Sequence, residues 1–212
     1  MLITNSQDVA TCVAKDWLRV GPNTTIEHNV EICHPTRSGE TAPVILGGGC
    51  FIRSGSVIYS GVEFGDHCQT GHHVVVRENT RIGYRSVLGT GVKVEMNTTI
   101  GYHVLFETQS HLTAFMTVED YVFMGPGCVT TNDLRMLHCR AGAGAHLKGA
   151  TIQWGARIGG GTVILPAVII GRESIIAAGS VVARDIPAKT LAAGNPVRLL
   201  GPVTDDEPVL VD

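Results

Sequence analysis

A large apolar residue returns at every sixth position from Leu46 onward. The series runs Leu46, Ile52, Ile58, Phe64 and so on to Thr130, breaks, and resumes from Ile152 to Val182. Nineteen of its 21 members are large and apolar, Thr70 and Thr130 being the exceptions, where composition alone would give about nine. Four residues later stands a second, interlocked series, from Cys50, Ser56 and Val62 to Cys128 and again from Ala156 to Ile186. It is small or β-branched everywhere except Met116. A helix needs a period of 3.6 and a flat strand a period of 2, so a period of six fits neither alone. It fits a short strand and a corner, repeated. Position i buries a large side chain, i+4 buries a small one where the walls converge, and the residue after i turns the chain. Coils of such strands, each burying its face on the next, make a parallel β-helix.

Composition supports that geometry. The 212 residues include 26 glycines and only 5% aromatics, a balance unlike that of an ordinary layered core. Glycine often follows the apolar position (Gly47, Gly65, Gly71, Gly83, Gly89, Gly101, Gly125, Gly159, Gly171). A corner demanding positive φ or close backbone approach explains the excess. A net charge of −3 and a charged fraction of 17% describe a soluble globular chain with no expected nucleic-acid partner. No apolar run is long enough to span a membrane, and no basic segment leads into an apolar one near the N-terminus, so no membrane partner is expected. The six cysteines (12, 33, 50, 68, 128 and 139) show no paired spacing, which points to free thiols in a cytoplasmic protein. Most of them read as small core residues, and the adjacent pairs Cys33–His34 and His138–Cys139 lack a completed ligand set, so no metal is expected.

The hexad frame resembles that of the hexapeptide-repeat acyltransferases. The resemblance covers about residues 44–200 and implies an all-β fold, a left-handed parallel β-helix with three faces, 18 residues per coil and about seven coils. The expected organisation is an N-terminal cap and irregular first coil over 1–43, a β-helix domain over 44–201 and an acidic tail over 202–212. Within the first part, Gln7–Val20 reads as a short helix with Val9, Val13, Trp17 and Val20 on one side. Ile26 and Ile32 read as an out-of-register first coil before a polar excursion, HPTRSGETAP. A second interruption, 131–151, carries Asn132, Asp133, Arg135, His138, Arg140, His146 and Lys148. A cationic excursion from a rigid solenoid suits an anionic ligand.

The ending ARDIPAKTLAAGNPVRLLG resembles the place where this family meets coenzyme A. The resemblance implies acetyl-CoA as co-substrate, with Gly194, Asn195, Pro196 and Arg198 in its turn. It further implies Ala178 and Gly179 offering amides to the pantetheine arm, and Arg184, Lys189 or Arg198 meeting phosphates. The stretches VEDYVFMGPGCVTTND (118–133), CQTGHH (68–73) and ETQSH (107–111) resemble the sugar-nucleotide N-acyltransferases within this superfamily. In those, an Asn at the position of Asn132 contacts the reacting amine. The implied partners are an amino sugar or nucleotide sugar as acceptor, and two further copies of the chain in a homotrimer.

Acyl transfer to an amine needs an acceptor for its proton and a donor for the tetrahedral oxyanion. An amine with a pKa near ~8 is substantially free at neutral pH, which makes a strong enzymic base optional. Stacking at ~4.8 Å per coil sets Asn132 roughly 6 Å from His111 and roughly 7 Å from Glu107 along the axis, so these three are the catalytic candidates. His72 lies roughly 16 Å away by the same spacing and cannot share that centre. His72, His73, Gln109 and Asp133 are therefore assigned to substrate binding. His73, Gly91 and Gln109 stack, and a shallow groove is expected at Gly91. Two other readings stay open: His67 and His72 resemble two metal ligands of the γ-class carbonic anhydrases, with Glu31 where a third would fall, and a non-catalytic scaffold would need no site.

Overall fold

The computed structural model describes residues 9–39, 42–136, 138–139 and 146–204. The chain is a left-handed parallel β-helix with three flat faces, carried by sheets of eight, ten and eight strands. The first face begins with Leu18–Val20 and Val44–Leu46 and ends with Ile169–Ile170. The second runs from Thr25–Ile26 to Ile175–Ile176 and is extended by Thr190–Ala193 and Arg198–Pro202, and the third runs from Glu31–His34 to Val181–Val182. All 21 residues of the apolar series are at most 3% exposed, and the 20 of the second series at most 5%. The core is thus two sets of inward columns. Cys12, Cys33, Cys50, Cys68 and Cys128 belong to it, while Cys139 is exposed.

The strands count eight coils, one more than the hexad frame. The extra coil is residues 18–34, and it stacks in register: Val20 pairs with Leu46, Ile26 with Ile52 and Ile32 with Ile58. Its offset in sequence is 26 residues where later coils are offset by 18, because the chain leaves the solenoid between His34 and Val44. Across the second excursion Thr117 pairs with Thr151 and Phe123 with Arg157, so the coils close over the interruption. Both excursions leave at the same corner, between the third and first faces.

The expected helix over Gln7–Val20 is shorter. Gln7 lies outside the described residues, and the helix spans Val9–Ala14. Asp16 adopts φ 54°, Trp17 N–H bonds Cys12 O at 2.9 Å and Asp16 N–H bonds Val13 O at 3.0 Å. This Schellman-type ending stops the helix. Leu18 then enters the first face, so the apolar residues beyond Ala14 belong to the solenoid rather than to a helical stripe.

Corner geometry decides between the two expected uses of glycine, in favour of close backbone approach at these positions. The glycines after the apolar position do not have positive φ; they face the backbone of the next coil. A Cβ on Gly71 would lie 2.3 Å from Thr90 N. The left-handed residue is instead at i+3, where it is most often glycine or a polar or aromatic residue such as His73 (φ 57°) or Gln109 (φ 64°), with Ala167 (φ 61°) an exception.

Candidate active site

The corner between the second and third faces changes character along the axis. In the lower coils its left-handed glycines are covered: a Cβ on Gly55 would meet His73 Nδ1 at 2.3 Å, and one on Gly91 would meet Gln109 Nε2 at 2.6 Å. The groove expected at Gly91 is therefore filled by Gln109. In the last three coils the same corner reads Gly125-Pro126-Gly127, Gly159-Gly160-Gly161 and Ala177-Ala178-Gly179. A Cβ on Gly127, Gly161 or Gly179 would meet nothing within 4 Å. The result is a bare backbone strip running to the end of the solenoid.

The GNP turn completes this strip. Gly194 N–H bonds Ser180 Oγ at 3.1 Å and Val181 N–H bonds Gly194 O at 3.0 Å, which docks Gly194, Asn195 and Pro196 beside Ala178 and Gly179. Arg198 stands opposite Ala193 in the closing hairpin, exposed at the same end. Gly179 does not offer its amide, since that N–H is spent on Gly160 O at 2.9 Å. Ala178 N–H is directed at no group among the described residues. Two expected phosphate contacts lie elsewhere: Lys189 is at the first-to-second corner, where its Nζ is 3.5 Å from Glu173, and Arg184 is at the third-to-first corner.

Across the third face from the strip is a cleft of about 490 Å³ lined by His111, Val129, Asn132, Asp133, Leu134, Met136, Leu165 and Pro166, among others. It forms where the second excursion leaves. Asn132 O accepts Lys148 N–H at 2.9 Å, pinning the neck of the excursion, and Asp133 Oδ1 accepts Arg135 N–H and Met136 N–H at 3.0 and 2.9 Å. Asp133 thus shapes the turn, although it also lines the cleft. Asn132 Nδ2 donates to Ala114 O at 3.4 Å, leaving Oδ1 to accept from a ligand. Leu134 and Met136 are 68% and 75% exposed and form apolar lips.

Of the three catalytic candidates, the structure brings His111 and Asn132 together. Glu107 and Gln109 stand at the opposite edge of the third face, on the strip side. Counting distance along the axis leaves out the width of a face, which is about 13 Å for the four residue steps from Gly127 to Thr131. His111 lies midway, on the strand His111–Leu112. His72 and His73 are two coils below Gln109 on its corner; His72 Nδ1 is 2.9 Å from Ser54 Oγ. His67 is at a different corner from His72, and no group of three His, Cys, Asp or Glu side chains converges among the described residues.

The structure adds a cluster that the motifs did not indicate. Arg77 grips Glu78 through two bonds of 2.7 and 2.9 Å, reaches Glu95 Oε2 at 3.3 Å and lies over the Tyr59 ring at 4.9 Å. Glu95 Oε1 in turn is 3.7 Å from His111 Nε2. Burial opposes ionisation of Glu78, yet the Arg77 guanidinium overrides it and holds the carboxyl below its ordinary value. The signal was present at a period of 18. After third-face strands the corner residue is never glycine but Tyr59, Arg77, Glu95, Thr113, Thr131, Leu165 and Ala183. Among the described residues, only at that corner does the residue directly after the strand's inward residue carry a side chain in every coil.

Comparison with known proteins places this geometry. Residues 151–184 match the family model described as the hexapeptide repeat of succinyl-transferase. A hexapeptide-repeat-containing acetyltransferase of Vibrio cholerae, solved in complex with acetyl-CoA, is 30% identical, covers 58% of this chain and 71% of its own, and superposes with a TM-score of 0.52. A Saccharomyces cerevisiae protein designated a candidate acetyltransferase is 54% identical over 50 residues, 24% of this chain and 26% of its own. A Schizosaccharomyces pombe protein of the same designation is 39% identical over 88 residues, 40% and 42% of the two chains. The match thus spans about a quarter to two fifths of these curated relatives.

Proposed function

The chain belongs to the hexapeptide-repeat acyltransferases, and on that premise we propose that it moves an acetyl group from acetyl-CoA to an amino group of a sugar or nucleotide-linked sugar. The observation that carries this reading is the bare strip. Positive φ alone does not require glycine at that corner, because His73 and Gln109 occupy it lower down. Gly127, Gly161 and Gly179 keep the corner free of side chains where nothing of the protein fills the space. A slender acyl-pantetheine arm fits such a strip, with the unspent Ala178 amide as a donor and Arg198 beside the turn for phosphate.

The cleft then receives the acceptor. Asn132 Oδ1 accepts one N–H of the amine and orients its lone pair toward the thioester. The nitrogen attacks the carbonyl carbon, the C–S bond breaks, and the proton released from nitrogen passes through His111 to the departing sulfur. Products are the amide and free coenzyme A. Glu107 and Gln109 edge the strip and are assigned to the thioester side, while His72 and His73 read a distal part of a long acceptor. The exposed apolar residues Phe123 on the second face, Val129 on the third and Leu134 in the excursion support assembly with further copies, in a homotrimer.

Thiol release from acetyl-CoA, followed against free and nucleotide-linked amino sugars and their hydroxyl counterparts, tests the reading. Release with an amine acceptor is expected, and Asn132→Ala should lower kcat by about a hundredfold. Release with hydroxyl acceptors alone would replace N-acylation by O-acylation. No release with any of them would remove the function.

A further inference from the structure

His111 presents its two ring nitrogens to different surroundings. Nε2 is covered by protein and has no hydrogen-bond partner among the described residues. Glu95 Oε1 lies 3.7 Å from it. Nδ1 likewise has no hydrogen-bond partner among the described residues, and it belongs to a side chain 40% exposed that lines the cleft. The carboxylate facing Nε2 is itself held. Arg77 Nη1 donates to Glu95 Oε2 at 3.3 Å, and Arg77 is fixed by Glu78 and the Tyr59 ring. Glu95 is therefore held in place by Arg77, aimed along the corner toward the next coil.

We propose that Glu95 is a positioning residue for His111, holding the imidazole with its proton on Nε2 so that the Nδ1 lone pair faces the acceptor amine. This rests on the reading of His111 as the proton acceptor. The alternative tautomer would set an Nε2 lone pair against a carboxylate oxygen, two like partial charges in a covered site. With the proton on Nε2 the same contact is attractive, and a shift of about half an ångström closes it into a hydrogen bond. Such bonds are often long before a ligand is bound. The other charged groups facing the ring are Lys93, its Cα partner on the preceding coil, and Asp133 across the cleft. Arg77 stands behind Glu95.

Two measurements test this independently. Nitrogen-15 NMR of the imidazole in the wild-type protein, with the His111 signals identified by their loss in His111→Gln, reads the tautomer without turnover. Protonated Nε2 and bare Nδ1 are expected, and the reverse tautomer would overturn the proposal. In kinetics, Glu95→Gln should lower kcat by about tenfold or more while KM for both substrates stays within about twofold. Glu95→Asp should recover part of the loss. Unchanged kcat in Glu95→Gln would contradict the proposal, even if thermal stability fell. Wild-type protein that transfers no acetyl group to any amine would defeat the functional reading instead, and the tautomer would still decide the Glu95–His111 pairing.

Discussion

The two threonines in the apolar series show how one hydroxyl changes a coil. Thr70 Oγ1 accepts Arg53 N–H at 2.9 Å and Thr130 Oγ1 accepts Thr113 N–H at 2.8 Å. Elsewhere such amides reach the carbonyl of the apolar residue itself, as Gly65 N–H reaches Ile82 O. At both threonines the strand pairing shrinks to one residue pair, Phe51 with Gln69 and His111 with Val129. The second lies in the cleft, just before the excursion. Glycines divide by the same kind of local detail. A Cβ on Gly159 would sit 2.4 Å from Ala178 N, whereas one on Gly161 meets nothing. Gly159→Ala should therefore lose folded protein outright. Gly161→Ala should cost about 1 kcal/mol for its left-handed backbone but weaken acetyl-CoA binding at least about tenfold; thermal melts and calorimetry on the two variants separate these outcomes. The inward columns were fully legible in the sequence, because burial tracks side-chain size. The division of glycines was not, since a missing side chain carries no mark of why it is missing.

Single coils and their corners are the next scale. The helix at Val9–Ala14 was read too long because Trp17 and Val20 fit a helical spacing as well as a strand edge, and the αL turn at Asp16 decided between them. The first coil looked out of frame because the excursion after His34 shifts its numbering without shifting its stacking. At the third-to-first corner, the Arg77–Glu78–Glu95 cluster gives a prediction with a definite sign. Glu78 is held below 4.5 when folded, so its contribution is present above that pH and is lost as pH falls through the folded value. Glu78→Gln should lower stability at neutral pH by roughly 1–3 kcal/mol, the scale of hydrogen bonds to charged groups. The gap between variant and wild-type melting temperatures should close as pH falls below 4.5. A gap that stays constant through acid would show that the pair contributes packing rather than charge.

Over the whole molecule the three corners carry three different loads. The first-to-second corner holds an aromatic ladder in which Tyr84 stacks on Tyr102 at 5.0 Å, His103 stacks on Tyr121 at 5.1 Å and Arg172 lies over Trp154 at 4.9 Å. The second-to-third corner holds the bare strip, and the third-to-first corner holds both excursions and the ionic column. Position along the axis could be counted from the sequence, which is why His111 and Asn132 were found together and His72 apart. Position around the axis needed the corner assignments: counting along the axis brings Glu107 close to Asn132, yet it stands at the opposite edge of the third face. A homotrimer predicts a solution mass near three times 22.5 kDa by light scattering; a single-chain mass would contradict it. The central claim, that the strip holds the coenzyme, is tested most directly by calorimetric titration of acetyl-CoA. Saturable binding, one coenzyme per chain, is predicted for the wild type and for Asn132→Ala, with loss in Gly161→Val, whereas no saturable binding, or undiminished binding in Gly161→Val, would contradict it.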